Sequence, residues 1–138
     1  MSGMVANDLR LPEEMVTIAE LYAASGYRTG FVGKWHMDGG PRLPGYIPPG
    51  PRRQGFEYWA GYECDHNAYL DPTFFRDTPE PVRPGKYEAE ACSDFAGEFL
   101  RSQPKDRPFF LAVWMGPPHD PYIVPEKYRK LYDPAKIT

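Results

Sequence analysis

A chain of 138 residues with 16 Lys and Arg against 19 Asp and Glu, a net charge of −3, fits one domain with a core of its own. The balance excludes a nucleic-acid footprint and an acidic tail, so any anion site must be local. With 13 glycines and 17 prolines, the composition predicts long irregular connections. Cys64 and Cys92 stand in no C-x-x-C pair, which indicates neither a zinc site nor a disulfide framework. No apolar run approaches the ~20 residues that a membrane span needs, so no membrane partner is expected.

Residues 1–14 show no periodicity and read as an irregular lead-in, as if the chain were cut from something longer. Thr17 followed by Glu20 forms a capping-box pattern, Ile18, Ala19, Leu21 and Tyr22 supply an apolar face, and Gly26 supplies the stop of a short helix. Residues 27–35 then turn to β-favouring types, giving the αβ half of an α/β unit. Within that strand Lys34 and His36 are two apart and share a face, while Trp35 points to the other. A Lys ammonium with three donors beside a His that adds a donor or a second charge suits a tetrahedral oxyanion. A Lys-x-His triplet alone reads equally as a solvated strand end.

Residues 37–86 are rich in Pro, Gly, aromatic and charged residues, and no continuous regular structure is expected there. The many rings argue for an ordered loop flanking the site, with satellite packing as the default role of each ring, including those of Gly55-Phe56-Glu57-Tyr58-Trp59. Residues 88–102 place Cys92, Phe95, Ala96 and Phe99 at helical spacing before Pro104. Residues 108–115 are a continuous apolar run of strand length, the signature of a parallel strand buried on both faces. That run delivers Gly116-Pro117-Pro118-His119-Asp120-Pro121, so His36 and His119 both fall beyond carboxyl ends of strands, where open α/β sheets bind ligands. Pro125 opens a last short helix and Asp133-Pro134 closes it.

The order of these motifs, Gly33-Lys34-Trp35-His36 closing one strand and Pro108-Phe109-Phe110-Leu111 running into Pro117-Pro118-His119-Asp120-Pro121, resembles the sulfatase family of the alkaline-phosphatase-like superfamily. The resemblance extends from about Asn7 through Leu11-Pro12, Ala24-Ser25-Gly26-Tyr27 and Gly55-Phe56-Glu57-Tyr58 to Pro134. It implies an α/β fold, part of a three-layer domain with a mainly parallel sheet plus a long irregular loop. The activity it implies is hydrolysis of sulfuric esters by a formylglycine nucleophile with bound calcium, acting on a small sulfate ester or a sulfated glycan. Carried over, Lys34 neutralises a sulfate oxygen, His36 binds an oxygen on or near the formylglycine, and His119 contacts the leaving-group side. Charge develops on those oxygens during the transfer, so fixed cations and donors aimed there lower the barrier.

The departures matter as much. The family's Cys or Ser followed by x-Pro-x-Arg is absent, since Cys64 precedes Asp-His-Asn and Cys92 precedes Ser-Asp-Phe. The acidic and amide metal ligands and a second Lys also have no counterpart, so calcium ligands and the formylglycine site are expected to lie outside this chain. Residues 1–138 therefore read as a partial catalytic domain, inactive alone, with uncovered apolar faces that favour self-association. Asp120 is expected to orient His119, and Asn7 resembles the family too faintly for a role. His66, in Asp65-His66-Asn67, is carried as a further substrate contact, a surface turn being the more economical reading. His36, His66, His119, Asp65 and Asp120 lack metal-ligand spacing. The alternatives are a phosphodiesterase or phosphonate hydrolase of the same superfamily, or a noncatalytic module binding sulfated ligands.

Overall fold

A computed structural model describes residue 6 and residues 8–40, 44–63 and 68–137. Helix α1 (Ile18–Ala24) opens with the capping box: the Thr17 hydroxyl accepts from the Glu20 N–H, and the Glu20 carboxylate accepts from the Thr17 N–H at 2.8 Å. Strand β1 (Arg28–Lys34) follows, then β2 (Tyr58–Tyr62), α2 (Glu88–Arg101), β3 (Phe109–Trp114) and the single turn α3 (Glu126–Arg129). Among the described residues the three strands form one parallel sheet in the order β2-β1-β3. The register places Gly33 beside Gly61 on one side and Trp114 on the other. Helix α1 packs on one face of the sheet and α2 on the other, giving three layers.

Two cores follow from strand alternation. Phe31, Trp35, Trp59, Phe56, Ile47 and Ala112 gather with Ala19 on the α1 face, where the Phe31 and Trp59 rings stack at 4.7 Å. Val32, Ala60, Tyr62, Phe74, Phe75, Ala91 and Cys92 gather on the α2 face.

Two expectations are corrected here. Residues 37–86 contain a regular element after all, because Tyr58–Tyr62 is a third parallel strand, bonded along β1 from Gly30↔Tyr58 to Lys34↔Tyr62. Its five residues are too few to show periodicity, and each pairs with a β1 residue 28 positions away. Ile47, Phe56 and Phe74 from the same segment sit inside the two main cores rather than in satellites. Isolated bridges such as Gly61↔Phe75 and Phe74↔Val82 stitch the rest of the loop down.

The second correction concerns β3. The strand buried on both faces is β1, whose five central residues are all buried; β3 lies at an edge, with only Ala112 buried and Phe109 and Trp114 both 44 % exposed. A continuous apolar run shows what a strand needs covered, whereas its coverage depends on neighbours that the run does not name. Phe110, Ala112 and Trp114 also line an apolar cavity of about 250 Å³ against Ile18 on α1. A few hundred Å² of such surface, at ~25 cal/mol per Å², carries several kcal/mol of drive toward burial, and an unpaired edge invites strand pairing. Light scattering on the dilute chain is expected to report species larger than a monomer. A monomer that binds no apolar dye would contradict this.

Candidate active site

Lys34 is the last residue of the central strand, half-buried on the α2 face. Its ammonium forms no hydrogen bond or ion pair of its own among the described residues. Near it, joined through Tyr62, its register partner on β2, is Glu88, in the first turn of α2 and wholly buried. Glu88 Oε1 accepts from the Tyr62 hydroxyl at 2.8 Å and from the Gly116 N–H at 2.8 Å. Burial pushes the Glu88 carboxyl above the usual carboxylate range, while Gly116, Tyr62 and the positive charge of Lys34 pull it back. One carboxylate thus bonds to the last residue of β2 and to the turn after β3, and feels the charge at the end of β1.

The turn that leaves β3 carries His119, whose N–H bonds to the Gly116 carbonyl at 3.1 Å. Nδ1 of His119 lies 2.8 Å from Asp120 Oδ1 and 2.9 Å from the Asp120 carbonyl oxygen, and His119 is half-exposed. His119 also walls a cavity of about 170 Å³ with Tyr69, Tyr87, Tyr122 and neighbouring prolines. Lys34 and His36 do not line that cavity; what links Lys34 to the His119 turn is Glu88.

His36 does not follow the strand alternation. The strand ends at Lys34, the Trp35 N–H makes a last bond to the Tyr62 carbonyl at 2.9 Å, and His36 adopts a left-handed φ of 59°. Its direction is therefore set by the turn rather than by a two-residue period. A non-glycine residue in that region persists only where its surroundings hold it. The residues that follow are tied to Glu63, a buried carboxylate that accepts from the Asp38 N–H at 3.0 Å and from the backbone of Met37 and Gly40. Burial pushes the Glu63 carboxyl upward. Asp38, also buried, pairs with Arg52 through both guanidinium arms and with Arg10 at 3.3 Å.

Glu88, Glu63 and the Asp38–Arg52 pair are residues that sequence reasoning missed. The one available signal was an acidic residue in the first turn of an amphipathic helix, which ordinarily reads as a complement to the helix dipole. His66, Cys64, Asp65 and Asn7 lie outside the described residues. Cys92 is a buried free thiol pushed up to about 12 by burial, which suits packing and not nucleophilic attack.

The sequence pattern of the sulfatase family matches residues 2–137. The chain belongs to the sulfatase family. It is 41 % identical over 138 residues to an ulvan-active sulfatase of Formosa agariphila, an alignment covering 99 % of this chain and 27 % of that protein. This sulfatase chain thus spans about a quarter of that relative's length. Among solved structures, Ps i-CgsB in complex with k-i-k-neocarrahexaose aligns with a TM-score of 0.76 at 21 % identity, over 95 % of this chain and 32 % of that one. BT4656 in complex with its substrate D-glucosamine-2-N,6-O-disulfate aligns with a TM-score of 0.68 at 24 % identity, over 88 % and 22 %. These likenesses establish the α/β fold of the alkaline-phosphatase-like sulfatases.

Calcium belongs to the family's chemistry, yet among the described residues no three His, Cys, Asp or Glu side chains gather to hold a metal ion. The buried carboxylates here are engaged elsewhere: Glu88 by a phenol and an amide, Glu63 by backbone N–H groups, Asp38 by guanidinium. The described part of this sulfatase chain therefore does not fit the ion, and no step is derived through it.

Proposed function

We propose that this chain is the anion-holding part of a sulfuric ester hydrolase acting on sulfated sugars, with Lys34 as the residue that takes the sulfate. One observation carries the reading: a half-buried Lys at the carboxyl end of the central parallel strand, with its charge unmatched by a direct ion pair among the described residues. Such a cation is available to an arriving anion, and the ends of parallel strands are where α/β sheets receive ligands. The names of two similar proteins, one active on ulvan and one bound to a disulfated glucosamine, support a sulfated sugar as the substrate class.

In this reading Lys34 neutralises a non-bridging sulfate oxygen. His119, oriented by Asp120, donates toward the oxygen that leaves as the sulfur–oxygen bond breaks. His36, in its left-handed turn, serves the side from which the sulfur is attacked. Each acts as a fixed donor or charge where negative charge grows, the arrangement that lowers a barrier most cheaply. The attacking group is not supplied by the two cysteines, so the chain alone is expected to bind and not to turn over.

Calorimetric titration with inorganic sulfate tests the reading. Lys34→Ala is expected to weaken binding at least ~10-fold, the order of a charge-assisted contact of ~1.5–3 kcal/mol. Equal affinity of Lys34→Ala and the unaltered chain would overturn it.

A further inference from the structure

Glu88 is unusual among the carboxylates described here because it is fully buried and lies near a cation that it does not touch. It sits at the start of α2, its own N–H bonded to the Tyr69 carbonyl at 2.8 Å. Oε1 is shared by the Tyr62 hydroxyl of β2 and the Gly116 N–H beyond β3, while Oε2 accepts no hydrogen bond among the described residues. Lys34 of β1 is paired in register with Tyr62, the residue whose hydroxyl donates to Glu88, and its charge acts on Glu88 through space. Nothing about packing calls for a carboxylate here, because a glutamine has the same shape and accepts the same two bonds.

We propose that Glu88 is a positioning residue, a buried counter-charge near Lys34 that sets how tightly the site holds its anion. This rests on the reading of Lys34 as the sulfate-binding residue. An ionised Glu88 opposes a sulfate at Lys34 and offsets part of the Lys34 charge; a neutral Glu88 leaves that charge whole. Sulfate held by an unopposed buried-side cation would leave slowly, so a tempered site favours product release. The same carboxylate ties Lys34 to the Gly116–His119 turn, so the two halves of the site feel its state together.

The titratable groups facing Glu88 are few among the described residues. Tyr62 on β2, Cys92 on α2 and Tyr87 just before it are all pushed upward, chiefly by burial, so they stay neutral where carboxylates titrate. Tyr69 of the long loop reaches the same cluster through Tyr62. Lys34 remains as the charge on β1. His36 and His119 are the same in every variant compared, so whatever they contribute cancels in a ratio of affinities.

The experiment is therefore sulfate calorimetry on the full chain from pH 4 to pH 8, comparing Glu88→Gln, Tyr62→Phe and Lys34→Ala with the unaltered chain. Glu88→Gln is expected to bind sulfate about three- to tenfold tighter at pH 8, the scale of one partly screened charge. The ratio is expected to fall toward one at low pH, where the native carboxyl is itself protonated. Tyr62→Phe removes a bond that favours the ionised carboxylate, so it should tighten binding in the same direction by a smaller factor. The amide signal of Gly116 reports whether each variant keeps the fold, and Tyr62→Phe carries the test alone where Glu88→Gln does not. Folded variants that bind no tighter at pH 8, or a ratio that does not vary with pH, overturn the proposal and indicate a merely structural Glu88. If Lys34→Ala matches the unaltered chain, the sulfate reading of Lys34 itself falls, a different result from the failure of Glu88.

Discussion

Replacing Gly33 by alanine is expected to cost about 3–5 kcal/mol, because a methyl there meets the shortest contact found at any glycine among the described residues. Gly33 has φ 112°, and a Cβ there would stand 1.9 Å from the Trp114 carbonyl oxygen and 2.7 Å from its carbon. Both clashing atoms are backbone, so no rotamer change relieves them, and β1 and β3 must separate where their register brings Gly33 and Trp114 together. Gly50 provides the control. Its φ is 113°, yet nothing lies within 4 Å of where its Cβ would be. Gly50→Ala should therefore show only the cost of the backbone conformation, about 1–3 kcal/mol. With a net stability for a domain of ~5–15 kcal/mol, Gly33→Ala should lower the urea midpoint by roughly 1.5–2.5 M or prevent folding. Equal midpoints for the two variants would show that β3 gives way easily.

Arg53→Ala is expected to cost about 3–5 kcal/mol by a different route. The Arg53 side chain is 1 % exposed and its guanidinium holds together three parts of the long loop. Nε and Nη2 both donate to the Ile47 carbonyl, at 3.1 and 2.8 Å, Nη2 donates to the Arg76 carbonyl at 2.7 Å, and Nη1 meets Asp77 at 2.6 Å. The group also lies 4.9 Å from the centre of the Trp59 ring. Truncation leaves two carbonyls without their donor, each at ~1–3 kcal/mol, and removes packing against a core ring. Arg53→Lys should recover less than half of the loss, since a point charge cannot span two carbonyls and a carboxylate in one plane. Urea unfolding followed by Trp fluorescence measures both variants. A loss below ~1 kcal/mol for Arg53→Ala would show that residues 44–56 and 76–77 hold their places without it.

The effect of Arg53 also explains why the long segment was hard to read. A run rich in Pro, Gly and rings has no period, so its order had to come from contacts that span 23 and 24 positions, as Arg53 makes with Arg76 and Asp77. The short β2 was hidden for the same reason. Its parallel pairing with β1 is a property of two segments together, and neither Tyr-Trp-Ala-Gly-Tyr nor Arg-Thr-Gly-Phe-Val-Gly-Lys announces the other.

What the sequence by itself determined was local. The capping box at Thr17, the amphipathic spacing of α2, and the apolar runs that became β1 and β3 all depend on neighbours within a few residues, and the structure contains each of them. The motif order was enough to identify the family. The tertiary structure alone decided which strand is central, since burial of β1 and exposure of β3 depend on what flanks them. It also ended the strand at Lys34, turning His36 out of the alternation that its spacing implied. And it brought Glu88 near Lys34 across 54 positions of chain, where desolvation and a nearby cation give that carboxylate a role that no local pattern encodes.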